Sequence, residues 1–119
     1  VAGGASVDAF ARVRLRAFLD SRRDLVLPAA RGADVSIVMA VHQQAHLTYL
    51  ALETLVAVTA GDGVELVLVD DGSTDETWEL LGRVRNARIR RNLRSEGLGA
   101  ARTRGARMAG GRYERARPV

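Results

Sequence analysis

Near the amino end the hydrophobic positions recur at helical spacing. Val7, Phe10, Ala11, Leu15, Phe18 and Leu19 share one face, and Arg12, Arg16, Arg22 and Arg23 fall mostly off it. With Ser6 as N-cap, this pattern predicts an amphipathic helix over about residues 7–20, a docking element for the main domain or for a neighbour. Residues 24–34 contain Pro28 and Gly32 and read as a linker. The pattern then changes. VSIVMAV, residues 35–41, is a near-continuous apolar run rich in β-branched residues, which suits a parallel strand covered on both faces. HQQAH follows as a polar loop, with His46 at a helix start. Leu47, Leu50, Ala51, Leu55 and Val58 restore helical spacing, and Gly61-Asp62-Gly63 turns the chain. Residues 64–69 repeat the buried-strand pattern. Ser73, with Glu76 three residues on, reads as a capping box for a helix that turns Trp78, Leu81 and Val84 inward. Residues 87–92 make a short third strand, and a last helix runs from about Leu98 to Ala109 and stops at Gly110-Gly111. Helices alternating with strands imply a parallel sheet with right-handed crossovers.

Composition narrows the class. A chain of 119 residues holds one small domain. It has no cysteine, which removes disulfide frameworks and thiolate metal sites and fits a reducing compartment. No basic segment followed by an apolar core marks a secretory signal, and no apolar run approaches a membrane span. A first residue of Val1 suggests a piece cut from something longer. The net charge is +4, and every Lys-or-Arg position is arginine. Residues 83–117 hold twelve arginines against Glu96 and Glu114, an asymmetry suited to a diphosphate, a nucleic acid or an anionic lipid surface. That segment has one aromatic, Tyr113, and no recognised nucleic-acid motif, which disfavours nucleic acid.

Candidate chemistry centres on VELVLVDDGSTDETWELL, residues 64–81. Asp70 and Asp71 stand at the carboxyl end of a buried strand, where open α/β sheets bind ligands. An acid there reads as a hydrogen-bond acceptor for a nucleotide base or ribose. Neighbouring strand residues point to opposite faces, so the two carboxylates do not chelate one ion together. A phosphoacceptor domain would need a lysine, which this chain lacks. His42 and His46 lie four apart without the helical context of a zinc pair. Gly97-Leu98-Gly99 opens a helix whose first amides face the pocket, with Arg102 in its early turns as a phosphate contact or a surface ion pair.

Three segments, VSIVMAVHQQ, VELVLVDDGSTDET and RNLRSEGLGAARTRGARMAGGRY, resemble in order and spacing the first three blocks of a family 2 glycosyltransferase with a GT-A fold. The resemblance covers roughly residues 35–113. It divides the chain into an N-terminal helix and linker (1–34), a partial GT-A nucleotide-sugar-binding domain (35–113) and a tail outside the family pattern (114–119). The fold it implies is α/β, a three-layer, parallel-sheet, Rossmann-like half-domain, truncated, with an extra amphipathic helix. The implied activity is transfer of a sugar from a UDP- or GDP-linked donor to a saccharide or lipid-linked acceptor. On that pattern Ala40 and His42 border the base, His42 standing for a common stacking Tyr. Asp71 accepts from base or ribose, Arg102 sits near the diphosphate, and Asp70 fixes the loop through backbone or arginine hydrogen bonds.

The departures matter equally. Ala40 replaces a frequent Pro, Gln43 a frequent Asn, and Thr103 an Asn. After Tyr113 the family continues into an apolar strand ending in Asp-x-Asp, which holds Mn²⁺ or Mg²⁺; this chain reads ERARPV. The expectation is a truncated or frameshifted product with no metal ligands and no assigned catalytic residue, limited to nucleotide binding. Its three-stranded sheet would leave an unpaired edge and self-associate there. The alternatives are a non-catalytic remnant or interaction module, and a basic binder of nucleic acid or membrane surfaces. The implied location is the bacterial cytoplasm, peripheral to the inner face of the membrane.

Overall fold

The two continuous apolar runs form the centre of a parallel sheet. The computed structural model describes residues 3–28, 35–58, 63–109 and 112–115. In chain order these form α1 (Gly3–Asp20), β1 (Leu25–Val26), β2 (Val35–Val41), α2 (Ala45–Val58), β3 (Val64–Asp71), α3 (Thr77–Leu81), β4 (Val84–Arg85), β5 (Arg88–Asn92), α4 (Leu98–Met108) and β6 (Arg112–Arg115). The main sheet runs β5-β3-β2-β6, all parallel, with Ala40 beside Val69 and Val41 beside Asp70. The three-layer parallel architecture expected from the sequence is present.

Alternation along the strands separates two cores. Met39 and Val41 of β2 and Leu66 and Leu68 of β3 pack with Leu15, Phe18 and Leu19 of α1, Tyr49 and Leu52 of α2, and Leu80 and Leu81 of α3. Their neighbours Ala40 and Val69 face the other way, against Ala101 and Leu98 of α4. The second layer is thin because its residues are small. At Gly105 a Cβ would lie 2.3 Å from Val38 Cγ1, so α4 rests directly on the sheet.

Several sequence expectations change. The main sheet has four strands where three were expected: β6 pairs Arg112–Arg115 with Val35–Val38 of β2. Residues 114–115, assigned to the tail, belong to this strand. The linker contains β1, which pairs in parallel with β4. Helix α1 begins at Gly3, so Ser6 lies inside it and caps nothing, and Val7 and Phe10 are exposed. In α2 the buried face is Ala45, His46, Thr48, Tyr49 and Leu52, displaced from the predicted stripe. His46 is buried because its Nε2 lies 2.5 Å from Asp8 Oδ1 of α1. Trp78 is exposed and lies under the Arg91 guanidinium, 5.0 Å from its ring centroid. The predicted stop at Gly110-Gly111 and most of the Gly61-Asp62-Gly63 turn lie outside the described residues, as do linker positions 29–34.

Candidate functional site

Because the strands are parallel, the loops after β2, β3 and β5 converge at one end of the sheet. With β3 and β5 on one side of β2 and β6 on the other, chain direction switches beside β2, the position where such sheets form ligand crevices. The first two loops are bound to each other. His42 Nδ1 lies 2.7 Å from the Asp71 carbonyl oxygen. A carbonyl can only accept, so Nδ1 carries a proton and donates it. The Gln43 amide donates to Ser73 Oγ at 2.8 Å, and Gln43 Oε1 accepts from the Thr74 and Asp75 amides. The Ala45 amide donates to Asp75 Oδ2 at 3.0 Å. This network holds Gln43 and Gln44 at φ 56° and 55°, a left-handed conformation that costs non-glycine residues about 1–3 kcal/mol each.

The capping expectation at Ser73 fails for the same reason. Its hydroxyl is taken by Gln43, and Asp75 Oδ1 accepts from the Thr77 amide and hydroxyl, so α3 starts at Thr77. Burial alone would raise Asp75, but the Thr77 and Ala45 hydrogen bonds outweigh it and hold the carboxyl below its ordinary range.

Asp70 and Asp71 diverge as the strand geometry requires. Asp70 lies on the α1–α3 side. Its Oδ1 accepts from the Ser73 amide at 3.1 Å, and Arg91 Nε lies 3.9 Å from Oδ2. Asp70 therefore fixes the DGST turn. Its Oδ2 is buried without a hydrogen bond among the described residues. Asp71 lies on the α4 side, 1% exposed. Its carboxylate accepts from Asn92 Nδ2 (3.0 Å), Ser95 Oγ (2.9 Å), the Glu96 amide (2.8 Å) and the Gly97 amide (2.9 Å). Burial pushes this acid up, and the four donors more than reverse it, leaving it below the usual carboxylate range. These acceptors point at the 92–97 loop, so a direct contact with a base or ribose would require one of the four bonds to open. Gly72, at φ +74°, lets that loop close over the strand end: a Cβ there would sit 2.6 Å from the Ser95 nitrogen.

The remaining predicted positions occupy the α4 side. Ala40 is fully buried against Val69 and Ala101, so it forms the floor beneath the site and not its rim. His42 is half-buried at the loop. Arg102 is half-buried on α4, and its Nε is buried with no hydrogen-bond partner among the described residues. Ala40 and Asp71 thus lie on the α4 face of the sheet, Arg102 lies on α4 itself, and His42 bonds the Asp71 carbonyl. Sequence reasoning missed Gln43, Asp75, Asn92 and Ser95. The STD run after Gly72 carried the signal for Asp75, since these residues bond nearby backbone groups; nothing local marked Gln43.

Among the described residues no group of three His, Asp or Glu side chains could hold a metal ion. Asp70 and Asp71 lie on opposite faces and do not pair to share an ion; the Mn²⁺ or Mg²⁺ that the resemblance implies rests on an Asp-x-Asp that ERARPV does not supply. No helix among the described residues is long and apolar enough to cross a membrane.

Comparison with known proteins bears on this site. The model of glycosyl transferase family 2 matches residues 36–113, from the start of β2 into β6. The Escherichia coli protein WfaP, a UDP-Glc:alpha-D-GlcNAc-diphosphoundecaprenol beta-1,3-glucosyltransferase, is 31% identical over 81 residues, covering 66% of this chain and 32% of that protein. A Drosophila melanogaster protein assigned by name as polypeptide N-acetylgalactosaminyltransferase 13 is 36% identical over 105 residues, 76% of this chain and 19% of its own. The chain spans under a third of the first relative and under a fifth of the second. The matched span carries the parallel sheet, the DDGSTDET turn and α4, and on this ground the chain belongs to glycosyl transferase family 2, with the Rossmann-like α/β architecture of its GT-A fold.

Proposed function

We propose that this chain forms the donor-binding part of a glycosyltransferase, holding a UDP- or GDP-linked sugar at the carboxyl ends of β2 and β3. The observation that carries the reading is Arg102 Nε, the buried donor of a half-buried arginine one turn into α4, with no hydrogen-bond partner among the described residues. A buried charged donor is costly unless an anion meets it, and a diphosphate supplies that anion. Asp71 acts through the loop it fastens, setting the position of Gly97 and of the first α4 amides. A base contact by Asp71 itself is the tighter version of this role, reached when a ligand replaces one loop donor. His42 offers Nε2 and its ring face to the base, above the floor made by Ala40. The acceptor class we assign is a lipid-linked saccharide, following the acceptor named for WfaP, at the cytoplasmic face of a membrane. The reading is confined to binding, since this chain spans under a third of the first relative's length.

Calorimetric titration of the chain with UDP and with GDP, with and without Mn²⁺, tests it. Arg102→Ala is expected to weaken binding about 10–100-fold, the loss of a charge-assisted hydrogen bond of about 1.5–3 kcal/mol. Equal affinity in wild type and Arg102→Ala, or no saturable heat with either nucleotide, overturns the assignment.

A further inference from the structure

Helix α1 is apolar on two sides. Its inner side, Ala11, Leu15, Phe18 and Leu19, is buried. Its outer side presents Phe10 at 57% exposure and Val13 at 69%, with Val7 at 53% on the border. At helical spacing Ala9, Phe10, Val13 and Ala17, all exposed, fall within an arc of about 100° opposite the buried stripe. Exposed Ser6 and Asp20 are the polar residues of the same arc, one near each end of the helix.

Arginines fringe this strip. Arg12 and Arg16 line one border, in exposed i,i+4 ion pairs with Asp8 and Asp20 that are weak in water. Arg14 lines the other, its guanidinium 5.5 Å from the Phe10 ring centroid and ion-paired with Glu53 at 2.6 Å. Arg22 and Arg23 follow the helix end and are exposed. Residues 6–23 hold five arginines against Asp8 and Asp20. Long arginine side chains beside an apolar strip can rest their stems on it and hold their charges at a phosphate layer. The strip is too small for a stable protein partner, since four short or single-ring side chains fall far below the ~800 Å² per side of a specific interface. Shallow insertion at a bilayer surface needs only such a strip together with charge attraction.

We infer that the outer face of α1 docks on an anionic phospholipid bilayer. The helix lies in the surface plane, with Phe10 and Val13 in the headgroup–acyl boundary and the arginines at the lipid phosphates. The inference needs no nucleotide and stands apart from the donor site, which α1 does not enter.

Co-sedimentation with vesicles of phosphatidylcholine alone and of equal phosphatidylcholine and phosphatidylglycerol tests it. Wild type is expected to partition onto the anionic vesicles only. The double variant Phe10→Ser, Val13→Ser keeps every charge and alters only exposed side chains; it is expected to lose about tenfold or more in partition while keeping its melting temperature and its UDP heats. Unchanged partition in this variant means adsorption through the arginine-rich 83–115 surface and overturns the inference. Concentration-dependent dimerisation that the variant abolishes, with vesicle binding unaltered, assigns the face to a second copy and overturns it equally.

Discussion

The two faces of the sheet are held by different physics. On one, α1, α2 and α3 bury Phe18, Tyr49, Leu52, Leu68, Leu80 and Leu81, each side chain contributing about 1.5–3 kcal/mol by leaving water. On the other, α4 offers little more than Ala101 and Leu98, and contacts the sheet through Gly105. What secures that side is polar: Asp71 collects four donors from the 92–97 loop, and Gly72 lets the loop close. Hydrophobic mass is non-directional and supplies stability. Hydrogen bonds on a buried carboxylate fix positions. The ligand reading falls on the side where position is fixed, and the membrane reading falls on the side that carries the mass.

Substitutions can separate the two. Leu52→Ala on the heavy face is expected to cost about 2–5 kcal/mol of stability, read by urea unfolding, and to leave UDP affinity of the folded protein unchanged. Asp71→Ala strips four donors, the buried Asn92 amide among them, of their acceptor and is expected to cost about 3 kcal/mol and to abolish UDP binding with it. The same residue sets an acid limit. Its folded pKa lies below its unfolded one, so its contribution is complete above about pH 5 and drains as pH falls through the lowered folded value. Unfolding followed from pH 6 to pH 2 should therefore be less steep in Asp71→Asn. Gly105→Ala forces a methyl against Val38 and is expected to cost about 1–3 kcal/mol. Because it lifts α4, its effect on UDP affinity should exceed that of Leu52→Ala. A reversed order in that last pair would erase the division between the faces.

The central strands and α4 were legible in the sequence because their signals are local and strong. VSIVMAV and VELVLV can bury both faces of a strand, and Gly97-Leu98 opens a helix within one residue of its observed start. The short pairings were not. Leu25–Val26 and Arg112–Arg115 are strands only because β4 and β2 stand beside them, and a polar RYER run carries no strand pattern of its own. Ser73 shows the limit of capping rules: its hydroxyl had a better partner thirty residues away in Gln43. The same holds for Asp71. Two adjacent acids after a buried strand announced a site, but whether a carboxylate meets a ligand or a loop depends on Asn92 and Ser95, more than twenty residues on.

Arg83 closes α1 from a distance. Its guanidinium donates to the carbonyls of Phe18, Leu19, Ser21 and Arg23 and stacks 4.9 Å from the Phe18 ring centroid. During synthesis α1 leaves the ribosome before Arg83 can reach the carbonyls of Leu19, Ser21 and Arg23, and the side chain that covers them arrives some 60 residues later. At about 5–20 residues per second that is a wait of roughly 3–12 s. Through that interval the inner stripe of α1 lacks the α3 side chains and the Arg83 guanidinium that cover it in the fold, so α1 completes its packing only after β3 and α3 have been made.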